Sequence, residues 1–64
     1  MYVVVALSFF ENVIKLEKIS ANSPEDALIQ HSMIKGYTFD GCSTLEEMED
    51  VLADCDMVVS VIEI

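Results

Sequence analysis

Residues 40–56 contain seven carboxylates and no basic residue. The seven are Asp40, Glu46, Glu47, Glu49, Asp50, Asp54 and Asp56. Carboxylates this close together can bind Mg²⁺ or Ca²⁺, or they can attract a positively charged partner. The segment has no Asp-x-Asp-x-Asp-Gly calcium loop, and carboxylates on the convex side of a helix do not converge on an ion. We therefore predict a surface for binding, with no metal ion.

The same segment has the spacing of an amphipathic helix. Leu45, Met48, Leu52 and Cys55 recur three or four residues apart, which places them on one apolar stripe opposite the acidic face. Ser43 and Glu46 have the spacing of a capping box. We expect the Ser43 hydroxyl to accept from the Glu46 N–H, and the Glu46 carboxylate to accept from the Ser43 N–H.

The acidic face destabilises its own helix. Glu46 and Asp50, and Asp50 and Asp54, are like-charge pairs four residues apart, and each pair costs about 0.2–0.5 kcal/mol. Two interpretations stay open. The face either keeps the protein dissolved, or it repels nucleic acid and binds a basic groove.

Composition limits the remaining function classes. The chain has 64 residues, so we predict a single domain, residues 1–64. It carries 12 acidic residues, three lysines and no arginine, for a net charge of −9. Direct binding to nucleic acid or to an anionic membrane is opposed, because both need lysine or arginine. A hydrophobic content of 53% argues against intrinsic disorder.

Other residues that could take part in catalysis or in metal or phosphate binding lack the neighbours that such sites require. His31 is the only histidine, and Cys42 and Cys55 are thirteen positions apart, so no zinc-type spacing exists. Gly36 and Gly41 form no phosphate-binding motif. We expect no enzyme activity, no catalytic residue and no cofactor.

Residues 2–10 form the longest apolar stretch, which is too short to span a bilayer and lacks the features of a signal peptide. We therefore expect a cytoplasmic protein.

The rest of the chain reads as three strands and a second helix. Residues 2–10 and 13–20 favour strands joined by a tight turn at Glu11 and Asn12, with a bulge near Glu17 because Ile19 breaks the alternation. Ser23 and Pro24 begin a helix that we expect to run to about Lys35. Its predicted inner face comprises Ala27, Leu28, His31 and Ile34.

Residues 36–42 link the two helices, and Tyr37 and Phe39 are expected to pack on the core. Residues 57–62 favour the third strand. The predicted fold is α+β, in the order β-β-α-α-β, with a three-stranded sheet and both helices on one face. The first strand is apolar on both sides, so the second sheet face is predicted to carry an exposed apolar patch. A second copy of the chain and a different protein are both open as its partner.

These features together resemble those of bacteriophage host-takeover proteins, in particular the Dmd-type antitoxins of T-even coliphages. The resemblance covers most of the chain in element order, but in residues only the turn from Phe10 through Glu11 and Asn12 to Val13. It implies binding and inhibition of a host RNase toxin, in the cytoplasm of the bacterial host. The acidity of residues 44–56 departs from that family. The Ser-Pro-Glu-Asp-Ala-Leu element, residues 23–28, also recurs in small phage inhibitors of RNA polymerase and of CRISPR nucleases.

Our main functional hypothesis is a non-catalytic inhibitor or antitoxin that blocks a host nucleic-acid-processing enzyme with a basic surface. The alternative is a small homo-oligomeric structural or regulatory protein without nucleic-acid mimicry. The residues predicted to bind the partner are Glu46, Glu47, Glu49, Asp50, Asp54 and Asp56 of the acidic segment, with Phe9, Phe10, Glu11 and Asn12 of the first turn.

Overall fold

The computed structural model of the protein describes all 64 residues, from Met1 to Ile64. Its elements are β1 (Tyr2–Ser8), β2 (Val13–Ile19), α1 (Pro24–Gln30), α2 (Leu45–Asp54) and β3 (Met57–Glu63). Three antiparallel strands and two helices form an α+β fold. The predicted fold class and element order are confirmed.

β1 is the central strand of the sheet, whose order is β2-β1-β3. Successive side chains of a strand point to opposite faces, and β1 is apolar on both. Tyr2, Val4, Ala6 and Ser8 are buried on the side that the helices cover. The side chains between them, Val3, Val5 and Leu7, are only partly buried on the other side.

The pairing of β2 with β1 is continuous from Tyr2 opposite Ile19 to Ser8 opposite Val13, so the predicted bulge near Glu17 is wrong. Directly opposed residues of a sheet share a face. Ile19, opposite the buried Tyr2, therefore reaches the core. The same alternation places Lys15 and Glu17 on the helix side.

β1 ends at Ser8 and not at Phe10, because residues 9–12 form a four-residue hairpin loop. Asn12 has a φ of +55°, in the left-handed region that asparagine tolerates better than most residues. The turn therefore includes Glu11 and Asn12, as predicted, but it takes four residues and not two.

α1 begins as predicted. Pro24 is its first residue, and the Ser23 hydroxyl accepts from the Asp26 N–H at 3.1 Å. The helix ends at Gln30 and not near Lys35, because His31 adopts an extended conformation with ψ 137°. The chain then turns, yet the four residues of the predicted inner face are all buried: Ala27, Leu28, His31 and Ile34.

α2 is capped one residue later than predicted. The Thr44 hydroxyl accepts from the Glu47 N–H at 3.2 Å, and the Glu47 carboxylate accepts from the Ser43 N–H at 3.1 Å. The proposed cap between Ser43 and Glu46 is therefore wrong. Ser43 and Thr44 each precede a glutamate by three residues, so the local sequence permits either arrangement.

The core is one cluster of buried apolar residues between the sheet and the helices. Its members are Tyr2, Val4, Ala6, Ile19, Ala27, Leu28, Ile34, Met48, Leu52 and Met57. Tyr37 and Phe39 of the linker pack against it, as predicted. No other element covers the opposite face of the sheet, where Ile14, Leu16, Val58 and Ile62 are exposed. The predicted apolar patch is confirmed.

The position of the α2 cap can be tested by two alanine substitutions. Thr44→Ala should lower the free energy of unfolding by about 1 kcal/mol, the usual cost of losing an N-cap hydroxyl. Ser43→Ala should cost less, because the Ser43 hydroxyl accepts no helix N–H, and its bond to Glu47 joins two exposed groups that can bind water instead. Urea unfolding followed by circular dichroism measures both changes. Equal losses at the two positions would contradict the assignment.

Candidate functional site

The acidic surface consists of the α2 carboxylates and the residue that follows the helix turn: Glu46, Glu47, Glu49, Asp50, Asp54 and Asp56. Met48 and Leu52 are buried beneath the helix, and Leu45 and Val51 are partly buried. Glu49 is partly buried, and the other five carboxylate residues are exposed. The apolar stripe and the acidic face therefore lie on opposite sides of α2.

No lysine neutralises the acidic surface. The only lysine–carboxylate pair within 4.0 Å is that of Lys15 and Glu17, whose charged atoms are 3.4 Å apart on β2. The negative end of the α2 dipole lies at Asp54 and adds to the local negative potential. The helix thus keeps self-repelling charges without an internal counter-charge.

Glu47 differs from its neighbours because it holds the start of α2. Its carboxylate accepts hydrogen bonds from the Ser43 hydroxyl at 2.9 Å and from the Thr44 hydroxyl at 3.2 Å, besides the Ser43 N–H. These bonds, chiefly that from the Ser43 hydroxyl, hold the pKa of Glu47 below its ordinary value. A contribution of Glu47 to partner binding would come in addition to this structural role.

The end of α2 departs from the sequence-based prediction at Cys55. The helix ends at Asp54, and Cys55 is its exposed C-cap, so the placement of Cys55 on the apolar stripe is wrong. Asp56 has a φ of +58° and turns the chain into β3. Cys42 is partly buried, and both cysteines are free thiols.

The hairpin loop, residues 9–12, lies beside this end of α2. The Phe9 N–H donates to the Asp56 carbonyl at 2.9 Å. The Glu11 N–H donates to the Ser8 hydroxyl at 3.2 Å, which ties the loop to the end of β1. Phe9 and Phe10 are 62% and 88% exposed. The backbone of Phe9 therefore adjoins the acidic surface at Asp56, a proximity that spacing along the chain did not indicate.

A second polar cluster joins α1 to the edge strand β2. The Ser32 N–H and hydroxyl donate to the Glu17 carboxylate. The buried His31 accepts from the Met33 N–H through Nδ1, at 3.1 Å, and its Nε2 lies 3.1 Å from the Lys15 carbonyl. The Nδ1 bond leaves the proton on Nε2, which donates to Lys15.

Serine, histidine and glutamate also form catalytic triads, but the bonding here is different. In a triad the histidine accepts the serine proton, whereas both ring nitrogens of His31 are bonded to backbone groups. The Ser32 hydroxyl instead donates to Glu17. The cluster ends α1 and holds it to β2. Sequence reasoning missed it, because its partners are fifteen or sixteen residues apart.

Other kinds of site have no counterpart in the structure. No group of three or more His, Cys, Asp and Glu side chains is placed to hold a metal ion. The surface contains no detectable pocket. Neither helix has the length and apolar character needed to cross a bilayer.

No protein-family model, curated protein or solved structure matches the chain. The resemblance to Dmd-type antitoxins consequently stays a prediction.

The hydrogen bonds from Ser32 to the Glu17 carboxylate, which we call the clamp, should make the free energy of unfolding depend on pH in the acid range. The Ser32 hydrogen bonds, with smaller effects of His31 and Lys15, lower the pKa of Glu17 from its ordinary value of 4.5. The contribution of Glu17 to the free energy of unfolding is therefore complete above pH 4.5, and it is lost as the pH falls through the lower pKa of the folded state. The difference in free energy of unfolding between the wild type and Glu17→Gln should be constant near neutrality and shrink in acid.

Urea unfolding at a series of pH values measures this difference. The pKa of Glu47 is also lowered, but Glu47 is present in both proteins and its effect cancels. Ser32→Ala, which removes the largest cause of the Glu17 shift, should flatten the acid dependence. A difference between wild type and Glu17→Gln that does not change down to pH 3 would refute the clamp.

Proposed function

We propose that the protein is a non-catalytic inhibitor that binds a basic nucleic-acid-processing enzyme through the acidic surface. Candidate targets are an RNase toxin, a CRISPR nuclease and RNA polymerase of a bacterial host. The observation that carries the proposal is the absence of any internal counter-charge along α2. A helix that needed charge only for solubility would intersperse lysines among its carboxylates.

The spacing of the charges is suited to a groove that binds nucleic acid. Helical neighbours three or four residues apart lie about 5–6 Å from one another. Glu46, Asp50 and Asp54 are exposed at four-residue intervals, so they present a row of negative charges in place of successive phosphates. Attraction between this row and a basic groove speeds association, and salt screens it.

The hairpin loop supplies the apolar part of the contact. Charge at the rim of an interface chiefly raises the association rate, whereas aromatic residues desolvated at its centre hold the complex together. Phe9 adjoins Asp56 through its N–H bond, Phe10 is the next residue, and both rings are largely exposed. In this proposal Phe10 enters the partner, and the carboxylates surround it.

Charge reversal on α2 tests the electrostatic part. The double variant Asp50→Lys, Asp54→Lys should lose partner binding, because it places positive charge against a basic groove. It should fold at least as stably as the wild type, gaining up to about 1 kcal/mol from relieved repulsion and from a better match to the helix dipole. The measurement is capture from bacterial lysate at low and high salt, followed by inhibition assays on the captured enzyme.

A matched control is the double variant Asp40→Lys, Glu63→Lys. Each exchange adds two charges, so both double variants change the net charge from −9 to −5. Asp40 and Glu63 are exposed and lie outside α2. The control should keep the partner, and a short oligonucleotide should displace that partner from the wild type. Capture of the same enzyme by all three proteins would rule out the acidic-surface mechanism.

Removal of the aromatic ring tests the apolar part. Phe10→Ala should weaken the complex by about thirtyfold, a hot-spot loss of about 2 kcal/mol. It should change the free energy of unfolding by less than about 0.5 kcal/mol, since the ring is 88% exposed. Isothermal calorimetry with the captured enzyme measures the affinity, and Ile29→Ala on α1 is the control. Unchanged affinity in Phe10→Ala would remove the loop from the interface.

A further inference from the structure

The face of the sheet away from the helices is almost entirely apolar. The strand register arranges it in three rows across β2, β1 and β3. The rows are Ile14–Leu7–Val58, Leu16–Val5–Ser60 and Lys18–Val3–Ile62. Seven of the nine side chains are apolar, and we call this surface the open face.

The edge strands leave large side chains of this face in water. Ile14, Leu16, Val58 and Ile62 are each between 51% and 68% exposed. An antiparallel sheet with one solvated face normally turns polar residues outward. β2 does the reverse, since Ile14 and Leu16 lie on the open face whereas Lys15 and Glu17 lie on the helix side. This arrangement indicates a face that is covered.

We propose that the open face packs against the open face of a second copy of this chain. The two sheets would then lie between two outer helix layers. The pairing is isologous, so each apolar row meets a surface of the same chemistry. The open face contains no carboxylate, and its only charged residue is Lys18, in a corner position. A second copy is complementary to it, whereas a basic partner would find no counter-charge there.

The distribution of charge makes this the one face through which a chain of net charge −9 associates with little repulsion. Packed sheets are about 10 Å apart. The helix layers are on the far side of each sheet, so two α2 helices would be separated by roughly three such layer spacings, about 30 Å. The Debye length is about 8 Å at physiological salt. The two acidic surfaces are therefore screened from each other.

The area suits a dimer that responds to concentration. Three seven-residue strands make a face of about 23 Å by 14 Å, or roughly 300 Å² in projection. Phe9 continues the β1–β3 ladder by one residue through its bond to Asp56. An aromatic side chain buries about 150–250 Å², and because Phe9 is 62% exposed its ring adds about 90–160 Å². Two copies bury roughly 800–900 Å², which lies at the upper end of crystal contacts and below permanent dimers.

Sedimentation over a wide range of protein concentration tests the proposal. The wild type should shift from monomer to dimer, and its melting temperature should rise with concentration. The dimer should persist in 0.5 M NaCl, where binding through the acidic surface is screened. The two proposals therefore fail independently of each other.

Leu16→Lys places a charge in the middle row of the open face and should weaken the dimer about tenfold or more. Leu16 is 64% exposed, so the monomer should stay folded. Ile29→Lys makes a comparable exchange at an exposed position of α1 and should leave the dimer intact. A wild type that is monomeric at every concentration overturns the proposal. So does a Leu16→Lys dimer as tight as the wild type, which would indicate pairing at a sheet edge.

Discussion

The central strand β1 is apolar on both sides, and a chain of 64 residues has only two short helices with which to cover it. Both helices lie on the side of Val4 and Ala6, which are completely buried. The side of Val3 and Val5 is left for the neighbouring strands to shield in part. Small domains bury a smaller fraction of their surface than large ones. This unequal coverage leaves an apolar surface on one side of the sheet and places the acidic helix on the other.

The negative charge, like the two helices, is absent from the open face of the sheet. All twelve carboxylate residues lie on the helix side, in the loops or at the strand ends, and none lies on the open face. The molecule therefore has one surface that repels copies of itself and another that does not. One molecule can use both surfaces, because a dimer joined through its sheets would carry two acidic helices directed away from each other.

The polar groups inside the fold hold the elements in register. His31 and Ser32 bind the backbone and side chains of β2, and Glu47 binds Ser43 and Thr44 at the start of α2. Each arrangement satisfies polar groups at an irregular point of the chain, which otherwise would carry a penalty when partly buried. The histidine, the serines and Glu47 of these clusters thus serve to hold the fold together.

Local patterns in the sequence determined the element order, the start of α1 at Ser23 and Pro24, the apolar stripe of α2 and the exposed apolar patch. Each depends on residues within about one turn or one strand. Tertiary structure decided that Ile14 and Leu16 face outward, that α1 ends at His31, and that Phe9 adjoins Asp56. A shift of one residue in strand pairing exchanges the two faces of a strand, and the pairing is fixed by partners far along the chain. The bond between His31 and Lys15 spans sixteen residues, a distance over which periodicity and capping carry no information.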